Sequence, residues 1–225
     1  GAEMNHIGRL ENIQEDYENP NLLFLGTEFG LYITINGGDR WSKFTKNVPP
    51  VAVHYIELQS QTNDLVMGTH GRGVIIIDDI SPLREINEEN LSNKLYFFDR
   101  DKFEIQEFGG FSDSFGRETQ FFGANPSLSC EIQYLLPKRH TLGKMSMEIQ
   151  DMDGNKITTL NPGKSKGINT VNWNYNMRTP KIAKAKTLSF GGFTSPTVPA
   201  GDYKVVIKKG RDTFEKVINV AYKNN

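Results

Sequence analysis

Cysteine is almost missing from this chain of 225 residues: Cys130 stands alone, so no intramolecular disulfide can staple the fold. Its context, LSCEIQYLL, reads as a strand and makes it a buried small hydrophobe rather than a nucleophile or ligand. No apolar run approaches the roughly 20 residues of a membrane-spanning helix, which argues against membrane insertion, and no signal peptide opens the chain. Gly1 in place of a methionine reads as the scar of a cleaved tag, so the missing leader says little about export. Neither sign of charge dominates: 26 Lys and Arg stand against 27 Asp and Glu, and no basic patch is interleaved with aromatics, which argues against nucleic acid as a partner. A phosphate loop and a hydrolase nucleophile elbow are both lacking. His6, His54, His70 and His140 show no metal-ligand spacing, so neither metal nor cofactor is expected.

What is present is a repeat. Asn21 to Trp41, NLLFLGTEFGLYITINGGDRW, returns 42 residues later as Asn63 to Asp78, NDLVMGTHGRGVIIID. Setting Gly26 on Gly68 without a gap pairs Asn21 with Asn63, Leu23 with Leu65, Phe24 with Val66, Thr27 with Thr69 and Ile33 with Ile75. A period of about 40 residues built from short strands and glycine turns is the signature of a propeller blade. His6 to Asp16 and Val51 to Ser60 precede the two copies and supply the innermost strands, although only VHYIEL alternates cleanly. Val74 to Ile77, VIII, predicts a strand buried on both faces. Ser81 and Pro82 predict the N-cap and first turn of one short helix running to Asn87 or Asn90, with Asp79 in the turn that leads into it.

The third and fourth strands of the first copy are joined by Thr34-Ile35-Asn36-Gly37-Gly38-Asp39-Arg40-Trp41. Asn36 can bond back to backbone N–H groups, the glycines can take positive φ, and Trp41 can pack the hairpin end onto the blade. This resembles the Asp-box of sialidase-like propellers, with Thr34, Asn36, Gly38 and Trp41 in the defining places. Asn36 stands where aspartate is usual, and Arg40 where threonine is common. The stretch reads as a fold-stabilising turn rather than a calcium or sugar site.

Chemistry is sparse. Glu28 ends a second strand, and His70 and Arg72 sit at the equivalent place in the next copy, giving a candidate polar cluster at one rim. A glycosidase needs two carboxylates about 5 to 10 Å apart. Asp78 and Asp79 are adjacent on a strand and point to opposite faces. No catalytic residue is assigned.

Residues 1–92 are therefore read as two blades ending in a short helix, and 93–225 as a β-sandwich. The sandwich begins with an irregular lead-in at 108–128, rich in glycine and in aromatics such as Phe111, Phe115, Phe121 and Phe122. Strands are expected at Cys130 to Leu135, Lys144 to Gln150, Lys156 to Leu160, Ile168 to Trp173, Asp202 to Lys208 and Thr213 to Val220. Asp153-Gly154 makes a hairpin turn, and Lys181 to Pro199 forms a surface insert carrying Lys181, Lys184 and Lys186.

Asn19 to Tyr32, and Asn63 to Gly73 running into Asp78 to Leu83, resemble the final two blades of large exported bacterial proteins with sortilin/VPS10-like or BNR/Asp-box, glycosyl hydrolase-like propellers. Ile149 to Asn155, Gly167 to Asn174 and Val198 to Tyr203 are similar to the Ig-like module that follows them, akin to that of the flagellar hook-capping protein. The resemblance implies an exported protein, periplasmic, cell-surface or extracellular. Two blades cannot close a ring of four to eight, so the expectation is a truncated piece of a longer propeller, or self-association through open blade edges. Three functions stay open: a non-catalytic interaction or spacer fragment, part of the substrate cleft of a polysaccharide-acting hydrolase, or a sortilin-like propeller binding peptide or protein.

Overall fold

The computed structural model describes residues 8–105, 128–178 and 195–223. The chain divides into two compact units, Gly1–Asn93 and Lys94–Asn225. It is all-β, two blades of propeller type followed by an Ig-like sandwich, and none of the four sheets among the described residues closes into a barrel. No helix among the described residues is long and apolar enough to cross a membrane.

Blade 1 is an antiparallel sheet of four strands in chain order, β1 (Leu10–Glu15), β2 (Leu23–Thr27), β3 (Gly30–Thr34) and β4 (Ser42–Phe44). Blade 2 has three, β5 (Val53–Gln59), β6 (Asp64–Thr69) and β7 (Gly73–Ile77). One device closes the central hairpin of both. The Thr27 hydroxyl donates to the Gly30 carbonyl at 3.0 Å, and that of Thr69 donates to the Gly73 carbonyl at 2.7 Å. Gly30 and Gly73 both take positive φ, 131° and 68°, which a side chain would oppose.

The copies do not superpose without a gap. Val53 pairs with Thr69 as Leu10 pairs with Thr27, an offset of 43 residues; Gly68 answers Gly26 at 42; Gly73 answers Gly30 at 43. The β1–β2 connection is one residue longer than its counterpart and the β2–β3 connection one shorter, so the two differences cancel over the repeat. Ile33 therefore corresponds to Ile76 rather than Ile75, and Leu31 to Val74.

Successive strand residues point to opposite faces. Phe24, Gly26, Leu31 and Ile33 share one face of blade 1, the Gly26 face. Val66, Gly68, Val74 and Ile76 share the matching Gly68 face of blade 2. On the opposite faces lie Ile13, Leu23, Leu25 and Tyr32 in blade 1, and Ile56, Leu65, Met67 and Ile75 in blade 2. Blade 2 lays β5 across β1 and β2, with Val53 at the crossing. A Cβ on Gly26 would lie 2.5 Å from the Val53 carbonyl oxygen, so only glycine admits this approach.

The run VIII is not buried on both faces. Val74 and Ile76 are 65% and 55% exposed. β7 is the edge of a three-stranded sheet whose Gly68 face carries no covering layer among the described residues, and only the alternate residues Ile75 and Ile77 are partly buried.

The segment after β7 forms two helices, α1 (Ser81–Arg84) and α2 (Glu88–Ser92), rather than one. Ile80, not Ser81, is the N-cap of α1, and the Asp79 carboxylate accepts from the backbone N–H of Ser81 at 3.2 Å and from its hydroxyl. Asn87 is extended and its side chain accepts the N–H of Asn90 at 2.8 Å, which starts a new helix instead of prolonging the first.

The second unit pairs two sheets. One has the order β13-β10-β8, built from β8 (Tyr96–Phe97), β10 (Cys130–Leu136) and β13 (Gly167–Trp173). The other runs β12-β11-β14-β15-β9, with β9 (Lys102–Ile105), β11 (Met145–Gln150), β12 (Lys156–Leu160), β14 (Gly201–Lys209) and β15 (Asp212–Tyr222). β9 lies parallel to β15, a strand the sequence pattern did not announce. Trp173 sits in the core against Tyr175 and Tyr203, ring centroids 5.6 and 5.7 Å away, and its indole N–H donates to the Asn176 carbonyl at 3.1 Å. The β11–β12 turn is held by Asp151, whose carboxylate accepts from the backbone and side-chain N–H groups of Asn155 at 2.8 and 2.9 Å. Most of the 108–128 lead-in, with its aromatics, and Lys181, Lys184 and Lys186 lie outside the described residues.

Candidate functional site

The blade ends where the second strands finish hold the predicted rim residues. Glu28, His70 and Arg72 are all exposed. Glu28 and His70 stand in matching places, since the N–H of Glu28 donates to the Arg9 carbonyl at 3.0 Å and that of His70 to the Ala52 carbonyl at 2.9 Å. Among the described residues, no hydrogen bond or ion pair joins Glu28 to His70 or Arg72.

His70 is drawn into a different group. Its ring meets His54 edge-on, centroids 5.8 Å apart. His54 Nδ1 lies 3.3 Å from one carboxylate oxygen of Glu11, and Arg9 Nε lies 3.3 Å from the other. Glu11 and His54 are repeat equivalents. Each occupies a β-bulge on the first strand of its blade, between Leu10 and Asn12 and between Val53 and Tyr55. A bulge bends a strand and re-aims its side chain, and here two matched bulges turn neighbouring blades' side chains onto each other. The Asn12 side-chain oxygen, one residue on, is buried without a hydrogen-bond partner among the described residues. This group brings together one carboxylate, two imidazoles and a guanidinium, with Glu28 and Arg72 at the same blade ends. Among the described residues no three His, Cys, Asp or Glu side chains are placed to hold a metal ion.

The Asp-box turn is engaged with itself. The Thr34 hydroxyl donates to Asn36 Oδ1 at 2.8 Å and accepts from the N–H of Gly38 at 3.2 Å. Asn36 Oδ1 also accepts the N–H of Arg40 at 3.0 Å, and the N–H of Gly37 donates to the Asn21 carbonyl at 2.9 Å. Gly37 and Gly38 take φ of 68° and 101°, and the half-buried Trp41 packs beside Gly38. The oxygens that a ligand would need already bind the turn's own backbone.

A second charged group is buried. Arg84, the last residue of α1, reaches Asp16 at the end of β1 with Nε 3.0 Å from both carboxylate oxygens and a terminal nitrogen 2.9 Å from one of them. Its other terminal nitrogen meets Asn63 Oδ1 and Glu18 at 2.9 Å, and its guanidinium lies over the Tyr17 ring at 4.7 Å. Asp16 also accepts the N–H groups of Glu18 and Asn19 at 3.0 and 2.8 Å. Burial works against the Arg84 charge, but hydrogen bonds with Asp16 and Tyr17 and the charges of Asp16 and Glu18 outweigh it and raise its pKa. These contacts tie the β1–β2 loop to α1 and to Asn63 in the β5–β6 loop, which gives the group a structural role. In the second unit, burial pushes the Cys130 thiol up to about 12 although the Arg100 charge pulls it down, so the thiol stays protonated at neutral pH.

No protein-family model matches the chain, and no curated protein matches it. Among solved structures it is similar to PorZ, described as an essential bacterial surface component of the type-IX secretion system of human oral-microbiomic Porphyromonas gingivalis. The two are 15% identical with a TM-score of 0.29, over 94% of this chain and 22% of that one. The chain thus spans about a fifth of the length of PorZ.

Proposed function

We propose that the chain is a non-catalytic interaction module of an exported Asp-box propeller protein, in which the sandwich serves as a spacer or docking unit. The observation that carries this reading is the composition of the rim: the bulged strands bring Glu11, His54 and His70 together, a group with a single carboxylate. Glycoside hydrolysis uses two carboxylates flanking one bond. Glu28 stands at the same rim, but among the described residues no hydrogen bond or ion pair joins its side chain to Glu11, His54 or His70, and Asp16 is locked to Arg84. A buried, protonated Cys130 supplies no nucleophile either.

A second reading, in which the rim forms part of a binding cleft for a sugar or peptide, is favoured by the matched bulges at Glu11 and His54, since bulges re-aim side chains beside functional sites. One pair of measurements separates the two. Incubation with a panel of plant and bacterial polysaccharides is expected to release no reducing sugar. Titration of the same glycans and of a peptide library, followed by the imidazole NMR signals of His54 and His70, reports binding at the rim. Turnover that disappears in Glu11→Gln would refute the non-catalytic reading.

A further inference from the structure

Charge is divided unevenly between the two units. Of the 26 Lys and Arg in the chain, 20 lie in residues 94–225, against 13 of the 27 Asp and Glu. Within the second unit much of the excess is gathered at one end of the sandwich. Residues 137–144 join β10 to β11 there and carry Lys138, Arg139 and Lys144; residues 161–166 join β12 to β13 and carry Lys164 and Lys166; Gly210 and Arg211 turn β14 into β15. The registers put all three connections at the same end, since Leu136 pairs with Gly167, Met145 with Lys209 and Met147 with Leu160.

The connections are fastened to one another. The N–H of His140 donates to the Lys164 carbonyl at 3.0 Å, and that of Gly210 to the Lys144 carbonyl at 3.3 Å. Buried side chains hold the middle loop from below: the Tyr134 hydroxyl donates to the Gly163 carbonyl at 2.6 Å, and the Asn169 amide accepts the N–H of Ser165 at 3.2 Å and donates to its carbonyl at 2.8 Å. Lys138, Arg139, Lys144, Lys164, Lys166 and Arg211 are all exposed, and among the described residues none of them enters an ion pair. The three connections contain no Asp or Glu, and the carboxylate that flanks them, Asp212, is taken by Lys94 at 2.8 Å. The far end is mixed, with Asp151, Asp153 and Asp202 beside Lys102 and Lys156. Residues 106–127 and 179–194 are joined to the strands at that far end, where β9 and β13 finish and β10 and β14 begin.

Like charges held together in this way repel, and an anionic partner offsets the repulsion. We propose that this end of the sandwich docks on an anionic lipid surface, with the Lys and Arg head groups among the lipid phosphates. Leu142 favours a lipid surface over an anionic polymer: it is 85% exposed at the tip of the 137–144 loop, between Arg139 and Lys144. A hydrated polymer leaves such a side chain in water, whereas the boundary between head groups and acyl chains takes it in. The docking is peripheral, through three loops and without a spanning segment.

Co-sedimentation of the whole chain with vesicles tests this. The chain is expected to sediment with mixed phosphatidylcholine and phosphatidylglycerol vesicles but not with phosphatidylcholine alone, and to be released by salt as the screening length shrinks from about 10 Å at 0.1 M to about 3 Å at 1 M. Lys164→Glu combined with Lys166→Glu is expected to weaken binding by at least about thirtyfold, since each cation near such a surface is worth about fivefold. Lys102→Glu combined with Lys223→Glu makes the same change of net charge at the far end and is expected to bind as the wild type does. Leu142→Ser is expected to weaken vesicle binding about tenfold while leaving binding to soluble polyphosphate unchanged. All these side chains are exposed, so circular dichroism should not change. Equal binding to phosphatidylcholine alone, no binding to either vesicle, or an equal loss in the far-end pair overturns the proposal. So does an L142S variant that binds vesicles like the wild type, which would give the patch to a soluble polyanion instead.

Discussion

Leu31 in blade 1 and Val74 in blade 2 stand at the same point of the same antiparallel sheet, next to the same Thr-to-Gly hairpin closure. Leu31 is buried and Val74 is mostly exposed. Ile56 and Ile13 reverse the contrast, buried in blade 2 and exposed in blade 1. The backbone plan is common to both copies, and the difference comes entirely from which face has another blade on it. Apolar character in these strands reports a capacity to be covered. Cover itself is a property of the neighbour.

The largest break in the comparison falls on the loops that end the first strands. In blade 1 Asp16 holds two backbone N–H groups and Arg84; in blade 2 Gln59 holds the N–H groups of Gln61 and Thr62 and, among the described residues, no charged partner. Asp16→Ala leaves Arg84 unpaired among buried groups and is expected to cost about 3–5 kcal/mol in urea unfolding. Gln59→Ala loses solvent-side hydrogen bonds and is expected to cost about 1 kcal/mol. Equal costs would contradict the structural role given to the Arg84 group.

The paired core positions come next. Leu31→Ala opens a cavity under blade 2 and is expected to destabilise by about 2–5 kcal/mol, whereas Val74→Ala should stay within about 0.5 kcal/mol. Thermal melts of dilute protein read the difference. Smaller again is the glycine pair. Gly26→Ala drives a methyl into the Val53 carbonyl and is expected to cost about 1–3 kcal/mol, while Gly68→Ala makes an ordinary contact with Tyr55 and should change calorimetric stability by less than about 0.5 kcal/mol.

The smallest expected effect sets the blades' buried charge against the sandwich's surface charge. Burial raises the Glu148 pKa, but the Gln150 amide at 3.1 Å and Lys208 and Lys156 at 3.4 and 3.8 Å prevail and lower it. Asp151 is lowered by its side-chain and backbone hydrogen bonds with Asn155. A carboxyl whose folded pKa is depressed adds stability that is fully present above its unfolded value, near 4, and is lost as pH falls through the folded one. The second unit is therefore expected to weaken below about pH 4, and Glu148→Gln should flatten that decline slightly. A steeper decline in the variant would reverse the sign argued here.

The repeat was legible because Gly26 and Gly68, with Thr27 and Thr69, mark the same point in both copies. The one-residue shift at Ile33 was hidden, because two loops change length in opposite directions and leave the period nearly intact. Val74 to Ile77 misled for a different reason: a run of branched residues does not tell a face that is covered from one that is merely coverable. Glu11 and His54 went unnoticed as a pair because bulges break the period-two pattern that would have aligned them. Asp16 and Arg84 carry no signal at all, being brought together only by the path of α1. In the sandwich, alternation located β10 to β15 closely, whereas the four residues of β9 are too few for a pattern.

The stacking of blade 2 on blade 1 is tested most directly by hydroxyl-radical footprinting at high dilution, read residue by residue by mass spectrometry. Val74, Ile76 and Ile13 should be modified readily, while Leu31 and Ile56 remain protected until the chain unfolds. Labelling of Leu31 or Ile56 at the rate of Val74 in the folded protein would contradict the stacked-blade account.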